Sequence, residues 1–241
     1  MTNTSIKVFC DFDGTITKQD VVDLLLEKLA DPEWLNIESR WIEGEIGSRE
    51  CLSMQIPLIK GDYNKVEKLL KEVEVDSTFK PFSDWCFEKG IPLYIASEGL
   101  NEAINCLFSR ENIQVTSIWS NKLEISKNGK FAIKFPYPSK SNSCKLGLCK
   151  CDVMESSSLA ELKVVIGDGL NDTCWAQKAD LVFAKSKLLN YCESKKIPFQ
   201  SFQSFKDIMN ILNEILKGNL SVISGEIIKN SSRKNSYVRE N

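Results

Sequence analysis

Residues 8–17 read VFCDFDGTIT, and this stretch decides how the rest of the chain is interpreted. The apolar run at residues 6–12 predicts a buried strand, yet Asp11 and Asp13 place two like charges at its carboxyl end. Gly14 follows directly and favours a turn. Two neighbouring carboxylates at this position indicate either a solvated turn or a site that receives a positively charged group.

The composition limits the class of protein. The chain has 241 residues and is 42% hydrophobic, which suits one large domain or a core with an inserted subdomain. The net charge of -2 gives no general attraction for nucleic acid. The sequence contains no histidine, so any catalysis or metal binding falls to carboxylates, lysines, hydroxyls or thiols.

The nine cysteines form no framework, and an odd count in an acidic chain predicts reduced thiols and a cytoplasmic location. No signal-peptide pattern is present, and no stretch reaches the roughly 20 apolar residues of a membrane span, so no membrane partner is expected. Cys144, Cys149 and Cys151 could bind a metal, but their spacing suits zinc poorly. Incidental thiols are therefore favoured over a thiolate metal site.

Four short apolar runs, each followed by a helical pattern, predict buried parallel strands at residues 6–12, 91–97, 163–167 and 181–184. This alternation predicts an α/β fold with a doubly wound, mainly parallel sheet. A last helix at residues 204–217 opens with a capping-box pattern and ends at Gly218.

Two insertions interrupt this pattern. About 75 residues separate the first two strands, far more than the dozen or so that a crossover needs, and their periodicity is helical. We therefore predict an inserted helical cap at residues 18–89, within a core formed by residues 1–17 and 90–218. Alternation around Asn128-Gly129 predicts a small β-hairpin between residues 116 and 138. Residues 219–241 are polar and are predicted to be a mobile tail.

Polar residues follow three of the predicted strands: Asp11 and Asp13 the first, Ser97 the second, and Asp168, Asn171 and Asp172 the third. Ligands of open α/β sheets bind in the crevice at the carboxyl ends of the strands. Four carboxylates brought together there would repel one another. A hard cation with oxygen ligands relieves this repulsion, and Mg²⁺ is the expected one.

Such a site suits phosphoryl transfer. A carboxylate can attack phosphorus and form an aspartyl-phosphate, and a second carboxylate two residues on can serve as general acid and base. A cation and a lysine would neutralise the developing charge. Lys145 and Lys150 are both candidates for this lysine, and Lys150 is favoured because it opens the helical stretch that leads into the third predicted strand.

The stretch DFDGTIT, a serine after an apolar strand, a lysine and GDGLND together resemble the four motifs of the haloacid dehalogenase (HAD) superfamily, over nearly the whole chain. The spacing resembles its phosphoserine-phosphatase-like branch, which has a Rossmann-like core and a helical cap between the first two motifs. The resemblance implies the following roles: Asp11 as nucleophile, Asp13 as acid and base, Asp11, Asp168 and the Asp13 backbone carbonyl as Mg²⁺ ligands, Asp172 as support of the metal site, Ser97 and Lys150 as phosphate ligands, and Asn171 beside them.

Details within that branch point in two directions. The branch reads the amino acid of phosphoserine with a cap glutamate, where this chain has Asp20, and with an arginine that CLSMQIPLIK lacks. The patterns PEW, CKLGLCKC and ADLVFAKSKLLNYCE resemble instead the methionine-salvage enediol phosphatases, which act on a hydroxy-keto-methylthiopentenyl phosphate. Glu98 departs from the family pattern, and its carboxylate would face the phosphate unless it turned away.

Several alternatives stay open. The substrate could be phosphoserine or another small metabolite, and phosphoryl transfer could go to an acceptor other than water. Glu98 also motivates a non-catalytic phosphate-binding module of the same fold, and Asp20 could bind substrate or merely cap a helix.

Two other readings of the two aspartates fit poorly. An EF-hand calcium-binding loop is excluded because its twelfth position, which requires glutamate, would be Val22. A nucleotide-sugar DxD motif leaves GDGLND unexplained. The substrate and the oligomeric state cannot be read from the sequence.

Overall fold

The computed structural model describes residues 5–126, 128–139, 146–155 and 162–230. Within them, seven strands form one sheet: β1 (Ile6–Cys10), β2 (Leu93–Leu100), β3 (Ser117–Ile125), β4 (Phe131–Lys134), β5 (Leu162–Gly167), β6 (Leu181–Ala184) and β7 (Gln200–Ser201). Their spatial order is β4-β3-β2-β1-β5-β6-β7, and every pairing is parallel except that of β3 with β4. The predicted doubly wound, mainly parallel sheet is confirmed.

Alternate residues of the central strands enter two different apolar clusters. Val8 of β1 belongs to one cluster and its neighbour Phe9 to the other, and Val164 and Val165 of β5 divide in the same way. All four side chains are at most 1% exposed. Helices therefore cover both faces of the sheet, which explains why these strands are continuous apolar runs without polar alternation.

The segment between β1 and β2 is helical, as expected. It contains α1 (Val21–Leu29), α2 (Trp34–Ile42), α3 (Ser48–Gln55), a short 3₁₀ turn (Ile56–Leu58), α4 (Tyr63–Leu70) and α5 (Phe79–Glu88). Asp20 caps the start of α1 by accepting hydrogen bonds from the N–H groups of Val22 and Asp23. The α5 helix packs its buried Phe79 and Phe82 against Phe205, which begins the last helix of the fold. The division of the chain into a core and a cap at residue 89 stays a prediction.

The remaining helices follow the strands: α6 (Asn101–Glu111), α7 (Lys150–Glu155), α8 (Thr173–Ala176), α9 (Ser186–Lys195) and α10 (Phe205–Leu216). The predicted capping box of the last helix is present, because the Asp207 carboxylate accepts hydrogen bonds from the backbone N–H and the hydroxyl of Ser204. No helix of the described residues is long and apolar enough to cross a membrane.

The predicted hairpin between residues 116 and 138 forms, and its first strand has two roles. The first half of β3 pairs in parallel with β2, up to Asn121, and only its second half pairs with β4. Lys127, beside the Asn128-Gly129 turn, lies outside the described residues. The hairpin therefore extends the main sheet.

The first part of the predicted mobile tail forms regular secondary structure. Residues 220–230 contain β8 (Leu220–Ile223) and β9 (Glu226–Lys229), which pair antiparallel around Ser224-Gly225. Both turn residues have positive φ, and Val222 packs against the main apolar cluster. The prediction missed this hairpin because residues 219–241 are polar overall, and the alternation of apolar residues in them is short. Residues 231–241 lie outside the described residues.

Candidate active site

The two aspartates of the opening stretch lie just beyond the end of β1, which stops at Cys10 and not at Phe12 as the apolar run predicts. The chain turns here because the Ile16 and Thr17 N–H groups both donate to the Phe12 carbonyl. The Asp11 N–H still donates to the Ile166 carbonyl of β5, at 2.9 Å. Asp11 is therefore fixed at the centre of the sheet's carboxyl edge.

Lys150 links Asp11, which follows β1, to Asp172, which follows β5. Its Nζ lies 2.7 Å from Asp11 Oδ1 and 2.7 Å from Asp172 Oδ1, and the lysine side chain is only 1% exposed. Burial alone would lower the pKa of Lys150, but the charges of Asp11 and Asp172 raise it above its usual value. The lysine is thus a fixed cation, held by two carboxylates.

Asp168 follows β5 and lies against the turn after Asp11. The hydroxyl of Thr15 donates to Asp168 Oδ1 at 2.7 Å. The N–H groups of Asp168 and Gly169 both donate to Asp172 Oδ2, at 3.1 and 3.0 Å. Asp172 therefore shapes the loop with one oxygen and binds Lys150 with the other.

The carboxylates of Asp11, Asp168 and Asp172 form a group whose donor chemistry fits a divalent metal ion. One oxygen of each lies within 4.8 Å of the other two. Among the described residues, these three hard oxygen donors outnumber the one cation, Lys150, that contacts the group. The carboxylate of Asp13 is not part of this group, and the metal role predicted for its backbone carbonyl stays a prediction.

Gly14→Ala is expected to lower the free energy of unfolding and to weaken the affinity for a divalent metal. Gly14 has φ +73°, and an added Cβ would lie 2.6 Å from Asp168 Oδ2. The left-handed conformation alone costs about 1–2 kcal/mol, and the collision displaces a group that fits a metal. Urea unfolding and metal titration measure the two effects.

Gly44→Ala is the matched control for this change. Gly44 has φ +76°, but its Cβ would meet nothing within 4 Å. We expect a similar loss of stability with unchanged metal affinity. Equal metal affinity of the two variants would refute the predicted collision at Asp168.

Asp13 points away from the metal group and towards β2. The hydroxyl of Ser97 donates to Asp13 Oδ2 at 3.0 Å, and the N–H of Val21 donates to Asp13 Oδ1 at 3.0 Å. Burial, followed by the charge of Asp20, raises the pKa of Asp13 to about 8. A carboxyl group in such surroundings can carry a proton near neutral pH.

Glu98 turns away from Ser97, and a bulge in β2 explains how. Ser97 pairs with Ser120 and Leu100 with Asn121, so Glu98 and Gly99 have no partners in the ladder. Glu98 Oε1 accepts hydrogen bonds from the Ser48 hydroxyl at 2.7 Å and from the Gly147 N–H at 2.6 Å. The Glu98 carboxylate, which departs from the family pattern, therefore lies between α3 and the loop before Lys150.

Most of these groups border one cavity of about 460 Å³. Asp20 and Asn171, both predicted from the sequence, also line it. The sequence-predicted site residues are therefore brought together: Asp11, Asp13, Asp20, Ser97, Glu98, Lys150, Asp168 and Asn171 line the cavity, and Asp172 supports Lys150 from behind. Lys145 and Cys144 lie outside the described residues, while Cys149 and Cys151 are buried beside Lys150.

Sequence reasoning missed several cavity residues from α1, α2 and α3, among them Asp23, Glu38, Ser48, Cys51 and Gln55. Only Asp23 carried a usable signal, because it follows Asp20 by three residues and thus shares a face of α1. The others reach the cavity through the arrangement of α2 and α3, which no local pattern specifies.

No protein-family model matches the chain. It is similar to the 2-hydroxy-3-keto-5-methylthiopentenyl-1-phosphate phosphatase of Bacillus cereus, with 32% identity over 219 residues, covering 88% of this chain and 98% of the relative. The protein of the same name from Bacillus mycoides is 32% identical over 220 residues, with the same coverage of 88% and 98%.

Solved structures share the fold. A phosphoserine phosphatase solved as a phospho-aspartyl intermediate analogue superposes with a TM-score of 0.64 at 20% identity, over 86% of this chain and 98% of that one. A probable phosphoserine phosphatase from Vibrio cholerae gives a TM-score of 0.68 at 17% identity, over 92% of this chain and 70% of that one.

Proposed function

Because this chain belongs to the phosphatases of the haloacid dehalogenase superfamily, we propose that it hydrolyses a small phosphomonoester through an aspartyl-phosphate on Asp11. The observation that carries the proposal is the meeting of Asp11 with Lys150, Asp168 and Asp172 at the carboxyl edge of the sheet. A buried carboxylate held by a fixed lysine is a suitable nucleophile towards phosphorus.

In the first step, an oxygen of Asp11 forms a bond to phosphorus while the ester P–O bond breaks. The ammonium of Lys150, 2.7 Å from Asp11 Oδ1, orients the nucleophile and attracts the phosphoryl oxygens. Asp13 donates its proton to the leaving alcohol. The hydrogen bonds from Ser97 and Val21 keep that carboxyl group in one orientation.

In the second step, Asp13 accepts a proton from the water that attacks the aspartyl-phosphate. The new bond joins the water oxygen to phosphorus, and the bond between phosphorus and Asp11 breaks. Inorganic phosphate leaves and both aspartates return to their starting states. Asn171 lines the cavity beside this point and is assigned to the phosphate group, together with Ser97 and Lys150.

We assign Mg²⁺ to the group formed by Asp11, Asp168 and Asp172, because hard carboxylate oxygens are its preferred protein ligands. The backbone carbonyl of Asp13 is a further ligand in this assignment. When bound, Mg²⁺ would neutralise negative charge on the phosphoryl oxygens.

Removal of the metal is expected to abolish phosphate release from p-nitrophenyl phosphate. Added Mg²⁺ should restore it, whereas Ca²⁺ should restore it poorly because Ca²⁺ prefers larger and less regular coordination. The measurement is phosphate release after treatment with EDTA and gel filtration. Full activity in protein shown by elemental analysis to be metal-free would contradict the assignment.

The relatives provide the reference compound for substrate tests, since they are named for 2-hydroxy-3-keto-5-methylthiopentenyl-1-phosphate. We propose a small phosphorylated metabolite of this size class, acted on in the cytoplasm. Binding of a phosphate analogue without phosphate release from any compound would favour the binding-module alternative. Faster product formation with added alcohols would favour phosphotransfer to another acceptor.

A further inference from the structure

Cys174 is a half-buried thiol that the proposed chemistry does not use. Of the eight cysteines in the described residues, six are buried, and only Cys106 and Cys174 are half-buried. Cys174 belongs to α8, which begins directly after Asp172. Partial exposure favours reaction with a small oxidant dissolved in water. Such a reaction would take place two residues from a carboxylate that binds Lys150.

A second thiol is in contact with this one. The side chain of Cys151 is hydrogen-bonded to that of Cys174, and the Cys151 backbone N–H also donates to the Cys174 sulfur. Cys151 follows Lys150 at the start of α7, and α7 packs against α8. Cys151 is 8% exposed and belongs to the apolar cluster that contains Phe9, against which Cys174 packs. The packing of two helices therefore holds the two sulfur atoms together.

A thiolate metal site does not explain this pair. In the described part of the chain, Asp11, Asp168 and Asp172 form the one group of three or more possible metal ligands, and no cysteine belongs to it. A structural zinc site needs four ligands. Two thiols in contact without a metal are instead the arrangement from which a disulfide forms.

The two cysteines lie on either side of the ion pair between Lys150 and Asp172. Cys151 directly follows Lys150, and Cys174 follows Asp172 by two residues. Lys150 Nζ lies 2.7 Å from Asp172 Oδ1 and 4.9 Å from the ring centroid of Trp175, the neighbour of Cys174. A movement of the two sulfur atoms towards each other is therefore transmitted to the lysine that binds Asp11.

We propose that Cys151 and Cys174 form a reversible disulfide, which switches the phosphatase off when the concentration of peroxide rises. The inference rests on the proposed phosphatase function and names a regulation of the same site. Disulfides that form in the cytoplasm are usually transient and catalytic or redox-sensing, and the sensing role is the one assigned here.

Hydrogen peroxide is the oxidant in this proposal. The Cys174 sulfur forms a bond to one peroxide oxygen, the O–O bond breaks, and the products are a sulfenic acid on Cys174 and one water. The Cys151 sulfur then attacks the Cys174 sulfur, the S–O bond breaks, and the hydroxyl leaves as water with the proton of the Cys151 thiol. The two thiols lose two electrons, and peroxide is reduced to two waters. Dithiothreitol reverses the reaction by forming its own disulfide.

The disulfide is expected to displace Lys150. Its sulfur atoms lie about 2.05 Å apart, closer than those of two hydrogen-bonded thiols. Closing this gap draws α7 and α8 together, and the 2.7 Å contact between Lys150 and Asp172 joins the segments that move. Because a displacement of about 1 Å can cost about 100-fold in rate, we expect kcat for p-nitrophenyl phosphate to fall by at least about tenfold.

The test is phosphate release by protein treated with a small excess of hydrogen peroxide, before and after dithiothreitol. The wild type should lose activity and regain it with the dithiol. Cys151→Ser and Cys174→Ser should keep their activity, since neither can close the disulfide. Cys106→Ser is the matched control, because Cys106 is the other half-buried cysteine of the described residues, and it should be inhibited like the wild type. Equal inhibition of all three variants would overturn the assignment to this pair.

Tryptic peptides give a direct readout of the bond. Cleavage after lysine separates the three neighbouring cysteines into the peptides 146–150, 151–163 and 164–178. Mass spectrometry of the peroxide-treated protein without reduction should show the second and third of these peptides linked, lighter than their sum by two hydrogen atoms. A link between the first and the third would assign the bond to Cys149 and overturn the pairing. Absence of any link would overturn the disulfide.

Further outcomes separate this inference from the proposed function. Unchanged kcat in the linked protein would overturn the switch and leave the phosphatase proposal intact. If the reduced protein hydrolyses no phosphomonoester, the phosphatase proposal fails. The Kd for Mg²⁺ of the reduced and the linked protein, measured by calorimetry, then decides the inference. Weaker binding by about tenfold in the linked protein would support a displaced Asp172, and equal Kd values would overturn it.

Discussion

Asp11→Asn is expected to lower kcat for p-nitrophenyl phosphate by at least about 1,000-fold, because the amide cannot form the acyl-phosphate bond. The change keeps the shape of the side chain and the position that the bond from Asp11 N–H to Ile166 fixes. It removes one charge beside Lys150, whose Nζ still contacts Asp172 Oδ1 at 2.7 Å. The folded state should therefore survive while turnover is lost.

Asp84→Asn is the matched control for this change. Asp84 lies on α5, pairs with Lys80 at the surface and does not line the cavity. It should retain wild-type kcat, since exposed ion pairs contribute little to stability. Acid quenching of a reaction with labelled substrate should trap phosphate on the wild-type protein and none on the Asp11→Asn protein. Turnover of the Asp11→Asn protein near the wild-type rate would exclude Asp11 as the nucleophile.

Lys150→Met is expected to cause the largest loss of stability of any single change in the site. Methionine has a similar volume, but Asp11 and Asp172 would then lie buried without their shared cation. Removing one partner of a buried ion pair costs about 3–5 kcal/mol. Urea unfolding should show this loss, and saturating Mg²⁺ should recover part of it by neutralising the same carboxylates.

The activity of this variant provides a separate readout. We expect kcat to fall together with phosphate affinity, because the lysine holds both the nucleophile and the phosphoryl oxygens. Lys178→Met is the control, since Lys178 forms an exposed ion pair with Glu155 and does not line the cavity. Weaker binding with unchanged kcat in Lys150→Met would show that the lysine has no part in the chemical step.

The sequence predicted most of the residues assigned to the phosphoryl-transfer reaction, because these residues follow the ends of strands. Asp11, Ser97 and Asp168 each follow an apolar run, and parallel strands bring such positions to one edge of the sheet. Lys150 could be chosen over Lys145 from its place at the start of a helical stretch. Each of these inferences needed only local patterns and the rule for parallel sheets.

The part of the cavity lined by α2, α3 and the bulge in β2 could not be predicted in the same way. Glu98 is re-aimed by a bulge in β2, and Glu38 reaches the cavity only because α2 and α3 pack as they do. Ser48, which donates to Glu98, lies 50 residues away in sequence. Contacts of this range depend on tertiary packing, and no local periodicity encodes them.

Glu98 also links access to the cavity with the geometry of catalysis. Its Oε1 is shared by Ser48, at the start of α3, and by Gly147, three residues before Lys150. Any motion that separates α3 from β2 must break the first hydrogen bond and admit water to a buried carboxylate. Water admitted there would compete for the hydrogen bond from the Gly147 N–H, which holds the loop that leads to Lys150. Opening the cavity between α3 and β2 would therefore also loosen the loop that positions the lysine.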